Sequence, residues 1–159
     1  MKSSLACRMA TPIATCLGLG QSPVAPGTAG SLGAVALAAL SAHFWSWGRA
    51  EFALLSVACL APGIWAAHVV SKASGEKDPS RIVVDEAIGQ WVTLAGATAC
   101  NWKSLLAGFL LFRAFDIWKP PPVRQAESLA GGTGIVADDV VAGLYGALVL
   151  FAAGCFNLY

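Results

Sequence analysis

Charged residues are scarce in this chain and are absent from long stretches of it. Only 12% of the 159 residues are Asp, Glu, Lys or Arg, whereas 57% are hydrophobic and the mean hydropathy is +0.66. The ten Lys and Arg residues nowhere form a run, and the net charge is +1. This distribution argues against the basic surface of a nucleic-acid-binding protein. The composition is instead typical of a membrane-embedded protein.

Several motifs of nucleophiles and metal sites are also missing. The five cysteines form no Cys-x-x-Cys pair and no Cys/His spacing that suits zinc. The chain has no P-loop Gly-Lys-Thr or Gly-Lys-Ser, no Cys-x₅-Arg and no Asp-x-Asp after an evident strand. His43 and His68 stand in apolar runs, far in sequence from the acids, and are interpreted as packed or interfacial residues. Water is the nucleophile that remains.

Five apolar runs alternate with short polar connections, at residues 31–47, 52–70, 82–100, 105–118 and 140–159. The runs are too long for strands, and helices satisfy the backbone in lipid. The third and fourth runs are shorter or more polar than a standard span, which leaves partial insertion open. We predict an all-α, compact, membrane-embedded bundle of about five or more helices, with residues 1–159 in one domain. No cleaved signal peptide is predicted, because Pro12 and a glycine-rich segment follow the first residues.

The cations are divided unequally between the two ends of such a bundle. If each run crosses the membrane once, only Arg49 and Lys103 lie at one end. The other end carries Lys2, Arg8, Lys72, Lys77, Arg81, Lys119 and Arg124. The richer end is predicted to face the cytoplasm.

Five of the nine acidic residues fall in three clusters, which the same threading places at helix ends on the cation-rich side. They are Asp85, Glu86, Asp116, Asp138 and Asp139. Acids near lipid are costly and require a partner. Mg²⁺ prefers oxygen ligands, and a metal-activated water can attack a phosphate ester. The alternative is that some acids pair with cations, above all Asp116 with Arg113, because Arg113, Asp116 and Lys119 follow one another at three-residue steps.

A segment rich in glycine and proline, residues 18–31, precedes the first apolar run. Its glycines and the following helix N-terminus would let backbone N–H groups approach a phosphate, with Thr28 or Ser31 capping the helix or touching the ligand. The same composition is common in an ordinary turn with a cap. Lys119 and Arg124, on either side of three prolines, either hold phosphate oxygens or anchor the chain at the headgroups.

Four segments in order carry a family resemblance. The chain reads GLGQSPVAPGTAGS at 18–31, IVVDEAIG at 82–89, FRAFDIWKP at 112–120 and GGTGIVADDVVAG at 131–143. Together, from about Gly18 to Tyr145, they resemble the phosphatidylglycerophosphatase A family.

The resemblance implies a Mg²⁺-dependent enzyme of the bacterial inner membrane. It would remove the terminal phosphate of phosphatidylglycerophosphate at the cytoplasmic face, giving phosphatidylglycerol and phosphate. The catalytic acids would be Asp85, Glu86, Asp116 and Asp139, and the candidate metal ligands are these four with Asp138. The candidate substrate-binding residues are Gly27, Thr28, Ser31, Arg113, Lys119 and Arg124. A phosphatase of another lipid phosphate and a small cation-binding membrane transporter are the alternatives, and the oligomeric state is left open.

Overall fold

The computed structural model describes residues 5–159, and every regular element in that range is a helix. Helix α1 (Leu5–Ala14) leads through a 3₁₀ helix (Cys16–Gln21) to two long helices, α2 (Pro26–Trp45) and α3 (Arg49–Ser74). The remaining helices are α4 (Val84–Leu94), α5 (Trp102–Trp118), α6 (Val123–Ala126) and α7 (Gly132–Cys155). The predicted all-α class is confirmed. Lys2, which was counted among the cations of one end, lies outside the described residues.

Helices α4 and α7 run side by side in the same direction through the middle of the bundle. The Thr93 hydroxyl donates to the Gly143 carbonyl over 3.2 Å, and further along Thr98 N donates to the Tyr159 hydroxyl over 3.1 Å. Helix α5 runs the opposite way, because Gly108 lies against Leu150 while Phe112 lies against Gly89. We call the end at which α4 begins and α5 ends the acidic end, and the opposite end the far end.

Small residues let these helices approach closely. A Cβ atom at Gly96 would lie 2.6 Å from the Ala147 Cα, and one at Gly143 would lie 2.5 Å from the Gly89 carbonyl oxygen. Three buried hydroxyls, those of Ser31, Ser41 and Ser56, donate to the carbonyl four residues earlier, so they need no partner in a neighbouring helix. Close packing of small residues is how helices associate where water supplies no driving force.

Three of the five predicted runs become helices that are long and apolar enough to cross a membrane: Pro26–Trp45, Arg49–Ser74 and Gly132–Cys155. The other two become α4 and α5, with 11 and 17 residues. Helix α4 is shorter than the run that predicted it, because the chain turns after Leu94 and residues 95–100 are not helical. Ile82 and Val83 also lie before the helix, where Val83 N donates to the Ala14 carbonyl over 2.8 Å. The chain is a membrane protein with three candidate spans.

The glycine-rich segments are the places where the predicted helix boundaries are wrong. Helix α7 begins at Gly132, eight residues before the apolar run at 140–159 that predicted it, so Gly132 and Gly134 lie in its first turn. Glycine is required there, because a Cβ at Gly132 would overlap the Ile64 carbonyl oxygen. Helix α2 likewise begins at Pro26, whose fixed φ suits a first helical position. Helix α1 was not predicted, because its sequence is short and contains Pro12.

Candidate active site

The first turn of α4 carries two of the predicted acids, Asp85 and Glu86. Asp85 is buried and Glu86 is partly buried, and the Asp85 Oδ1 accepts a hydrogen bond from Glu86 N over 3.1 Å. The positive end of the helix dipole favours carboxylates at this position. Burial opposes their ionisation. It raises the pKa of Asp85 well above its usual range, with the neighbouring Glu86 charge adding to the effect, and it also raises the pKa of Glu86.

Helix α7 brings Asp138 and Asp139 to the same end of the bundle, in its second turn. Both side chains are buried. The close approach depends on Gly89 of α4, where a Cβ would lie only 2.6 Å from the Asp139 carbonyl oxygen. One carboxylate oxygen from each of Asp85, Glu86 and Asp139 lies within 4.8 Å of the others. Three of the five predicted metal ligands therefore converge.

The other two predicted ligands are engaged by cations. Arg113 Nη1 lies 2.7 Å from Asp116 Oδ2, one turn apart on α5, and both side chains are mostly buried. This is the ion pair that the spacing allowed as an alternative to metal binding. Lys119 Nζ donates to Asp138 Oδ2 over 2.7 Å. Asp116 nevertheless lies close enough to the converging acids that its charge helps to raise the pKa of Glu86.

Lys119 does not continue the face of α5 that its spacing predicted. The helix ends at Trp118, and Lys119 is a left-handed cap with φ 49° that turns its side chain towards α7. Its ammonium also lies 3.1 Å from Glu127 Oε2. Although burial favours the neutral amine, the hydrogen bonds to Asp138 and Glu127 raise the pKa of Lys119 above its usual range. Lys119 therefore stays charged and joins α5 to α7.

The N-terminus of α2 closes the site from another side. A Cβ at Gly27 would overlap Glu86 Oε1 and lie 3.4 Å from Arg113 Nη1. Glycine at this position allows the helix end to approach both the acids and the guanidinium. The N-cap residue, Ala25, provides no side-chain hydrogen bond, so the first-turn N–H groups have no side-chain cap.

The remaining predicted phosphate ligands differ in their placement. Ser31 is completely buried, and its hydroxyl donates to the Gly27 carbonyl over 2.9 Å, so it is not a helix cap. Thr28 is partly buried in the first turn of α2 and is not a cap either. Arg124 is exposed on the short helix α6, and within residues 5–159 it forms no ion pair.

The carboxylate oxygens at this end offer a direct test of whether a cation fits. Glu86 Oε2, Asp138 Oδ1 and Asp139 Oδ2 are inaccessible to solvent and have no hydrogen-bond partner among the described residues. A buried carboxylate oxygen without a donor is costly, and a hard cation that accepts oxygen ligands removes that cost. The donor set consists only of carboxylate oxygens, which fits Mg²⁺ and does not fit a thiolate or imidazole metal site.

Three further polar residues near these acids were not among the predicted site residues. Glu127 contacts Lys119, and Asp78 lies close enough for the Lys119 charge to lower its pKa, although burial raises that pKa overall. Both stand in loops, where no helical spacing points to them. Gln90 lies one turn after Glu86 and is fully buried, and neither of its side-chain polar atoms has a hydrogen-bond partner among the described residues. Its four-residue spacing from Glu86 was the available signal.

Comparison with known proteins agrees with the motifs. The phosphatidylglycerophosphatase A family model matches residues 12–154. A phosphatidylglycerophosphatase A of Escherichia coli (strain K12) is 38% identical over 143 residues, which cover 89% of this chain and 81% of that protein. The Haemophilus influenzae protein of the same name is 37% identical over 129 residues, which cover 80% of this chain and 78% of that protein.

One relative carries a different name. A Bacteroides thetaiotaomicron protein named "Putative phosphatidylinositol-3-phosphatase" is 42% identical over 150 residues, which cover 89% of this chain and 91% of that protein. No solved structure matches the chain. The family match spans most of the sequence and includes every acid of the site. The chain belongs to the phosphatidylglycerophosphatase A family and is a phosphatase.

Proposed function

We propose that this protein is a Mg²⁺-dependent lipid phosphatase that hydrolyses the terminal phosphomonoester of phosphatidylglycerophosphate. The observation that carries the proposal is the convergence of Asp85, Glu86 and Asp139 within 4.8 Å, together with buried carboxylate oxygens that lack a donor. The names of the Escherichia coli and Haemophilus influenzae relatives support the choice of substrate. The family match from residue 12 to residue 154 supports a single domain.

Asp85, Glu86 and Asp139 would hold the magnesium ion. When bound, Mg²⁺ supplies a positive charge that stabilises the phosphoryl oxygens and makes a bound water more acidic. The buried positions of Asp85 and Asp139 exclude bulk water, which strengthens every electrostatic interaction at the site.

Arg113 and the N-terminus of α2 would bind the phosphate oxygens. Arg113 lies against Gly27, so its guanidinium and the uncapped N–H groups of that helix face the same region. Asp116 holds Arg113 through the 2.7 Å ion pair and thereby orients the guanidinium. Lys119 holds Asp138 in the same way. In this proposal Asp116 and Lys119 act mainly as positioning residues.

The reaction consumes one water. Its oxygen forms a bond to phosphorus as the bond from phosphorus to the glycerol oxygen breaks, and a carboxylate orients the water and accepts its proton. The glycerol oxygen leaves with a proton, and inorganic phosphate is released. The positive charge of Arg113 opposes the charge that accumulates on the phosphoryl oxygens in the transition state.

The distribution of cations supports a site at the cytoplasmic face of the inner membrane. Lys72, Lys77, Arg81, Lys119 and Arg124 belong to the acidic end, whereas Arg49 and Lys103 belong to the far end. Lysine and arginine accumulate on the cytoplasmic side of membrane proteins. The substrate would reach such a site by lateral diffusion, without leaving the bilayer.

A phosphatase of another phosphomonoester lipid is the second candidate, because the Bacteroides thetaiotaomicron relative is named for a phosphoinositide. Purified protein would be assayed for phosphate release from phosphatidylglycerophosphate, phosphatidate and phosphatidylinositol 3-phosphate, with Mg²⁺ and with excess chelator. We expect the first substrate to give the highest kcat/KM and the chelator to abolish turnover. A higher kcat/KM for another lipid would show that the proposed substrate is wrong. Unchanged rates with chelator would refute the metal mechanism. A cation transporter is disfavoured by membership in a phosphatase family.

A further inference from the structure

A groove separates α3 from α7 and extends along α7 from Val140, next to Asp139, to Phe151 near the far end. Its cavity volume is about 500 Å³. Helix α4 ends at Leu94, so the turn at Ala95 and Gly96 forms the floor where a longer helix would have filled the space. Ala53 and Ala147 add little volume to the walls. The groove is therefore a consequence of a short central helix flanked by small residues.

The groove opens towards the surface that would face lipid. Both walls belong to candidate membrane spans. Val57 and Leu148, on opposite walls, are 67% and 66% exposed, and the lining is almost entirely apolar. A groove of this volume is in the range of ligand sites, and in a hydrocarbon environment it would be filled by an apolar chain.

Its length matches one leaflet. The α3 wall extends from Arg49 to Leu60, which at a rise of 1.5 Å per residue is about 16 Å. Half of the hydrocarbon core of a bilayer is roughly 15 Å. The groove begins at the far end of the bundle, and its inner end at Val140 reaches the level of the carboxylate site.

One charge lies at the outer end of the groove. Arg49 is the charged residue of the lining, and its guanidinium carbon lies 5.3 Å from the centre of the Phe151 ring. The nearby Glu51 accepts a hydrogen bond from Gly48 N over 2.8 Å and caps α3. Within residues 5–159 no carboxylate forms an ion pair with Arg49. An arginine at headgroup level that lacks an acidic partner favours a lipid headgroup with a net negative charge.

We propose that this groove binds an anionic phospholipid whose headgroup lies at Arg49, at the far end of the bundle, with one acyl chain between α3 and α7. This lipid is not the substrate. Asp139 and Phe151 are separated by twelve residues of α7, or about 18 Å. The bound lipid would connect α3 and α7 at the far end of the bundle, which the short helix α4 does not reach.

Native mass spectrometry of the full chain tests this proposal. Protein in mild detergent would be equilibrated with equal amounts of phosphatidylserine and phosphatidylcholine with matched acyl chains. Phosphatidylserine is chosen because it is neither the proposed substrate nor its product. We expect one retained lipid per chain, with phosphatidylserine preferred about fivefold, the factor typical of one cation near a charged lipid surface. Arg49→Gln should reduce the preference to parity, whereas Lys103→Gln, at the same end of the bundle, should keep it.

A second variant tests the groove itself. Ala147→Leu should fill it and reduce total lipid retention several-fold. If Ala147→Leu does not fold, the proposal is tested by the phosphatidylserine preference of Arg49→Gln compared with that of Lys103→Gln. If the wild type and Arg49→Gln show the same preference for phosphatidylserine over phosphatidylcholine, the proposal is overturned. It is also overturned if the wild type is a dimer that dissociates in Ala147→Leu, because the groove would then be occupied by a second copy of the chain. Arg49→Gln should retain phosphatase activity, which separates this proposal from the proposed function.

Discussion

Asp139 illustrates how one residue depends on two helices. It is carried by α7, and it approaches Asp85 and Glu86 of α4 because Gly89 has no side chain. Within residues 5–159 its buried Oδ2 has no hydrogen-bond donor. This is why we assign it to the cation and not to the packing of the bundle.

Replacing Asp139 tests that assignment. Asp139→Asn preserves the shape but removes the charge, and we expect kcat to fall by at least about a hundredfold, as for the loss of a major electrostatic group. Phosphate release and the thermal unfolding midpoint would be measured together, with the exposed Glu76→Gln as the matched control. Near-normal turnover in a folded Asp139→Asn protein would make this acid structural and change the ligand set.

Arg113 and Arg124 were both predicted to bind phosphate, and the structure separates them. Arg113 is mostly buried beside Gly27, whereas Arg124 is exposed on α6. Arg113→Lys keeps the charge but loses the planar guanidinium, so we expect kcat/KM to fall by about tenfold or more, a cost of roughly 1.4 kcal/mol. Arg124→Gln should change it by less than about twofold. Equal effects in steady-state kinetics would contradict the placement of the phosphate beside Arg113.

At the residue scale, the sequence identified the acids of the site but was less informative about the side chains that pair with them. The scarcity of charge made Asp85, Glu86, Asp116, Asp138 and Asp139 visible. The three-residue step from Arg113 to Asp116 allowed their ion pair as the alternative to metal binding by Asp116. The role of Lys119 could not be read in the same way, because it depends on a left-handed cap that turns the side chain to another helix. Asp78 and Glu127 lie in loops, where contacts follow from tertiary structure alone.

At the scale of elements, the contact between α4 and α7 determines the geometry of the site. Gly89 and Gly143 lie at that contact, and a Cβ at Gly89 would also lie 2.5 Å from the Phe112 ring. Gly89→Ala should therefore lower the free energy of unfolding by about 2 kcal/mol, as overpacking does. It should also reduce activity, because Asp139 is displaced.

Thermal unfolding in detergent measures this effect. Gly48→Ala is the control, because a Cβ at Gly48 meets only Glu51 Oε2 at 3.7 Å. If both variants unfold at the same temperature as the wild type, the close approach of α4 and α7 is not a determinant of stability.

The existence of the long helices was predictable from the sequence, whereas helix α1 and several helix boundaries were not. Long apolar runs identified α2, α3 and α7, because those runs are continuous. The run that predicted α7 begins only at residue 140, and glycine is unfavourable in helices, so local propensity does not place Gly132 and Gly134 in one. The first turn nevertheless needs them, since Gly132 approaches the Ile64 carbonyl and Gly134 that of Leu129. Such a requirement arises from the neighbouring segment, which local propensity does not include.

At the scale of the whole molecule, the acidic end and the far end have different chemistry. The buried acids, the N-terminus of α2 and most of the cations lie at the first, and an apolar groove with Arg49 lies at the second. The division of cations between the ends was predictable, because it depends only on the order of the runs. The gathering of three acids out of five depends on packing.

Metal binding should stabilise the folded protein as a whole. A ligand that binds only the native state raises its stability by about 2.7 kcal/mol at a hundred times its dissociation constant. We expect saturating Mg²⁺ to raise the unfolding midpoint of the wild type by several degrees and that of Asp139→Asn by much less. An equal rise in both proteins would point to a magnesium site elsewhere.

The most direct test is anomalous diffraction from crystals of the protein soaked with Mn²⁺, which takes the same oxygen ligands as Mg²⁺. We predict an anomalous peak between Asp85, Glu86 and Asp139, with carboxylate oxygens roughly 2.1 Å from it, a distance close to that of magnesium. A peak located away from these three residues, or no peak in crystals of protein that is active with Mn²⁺, would contradict the account.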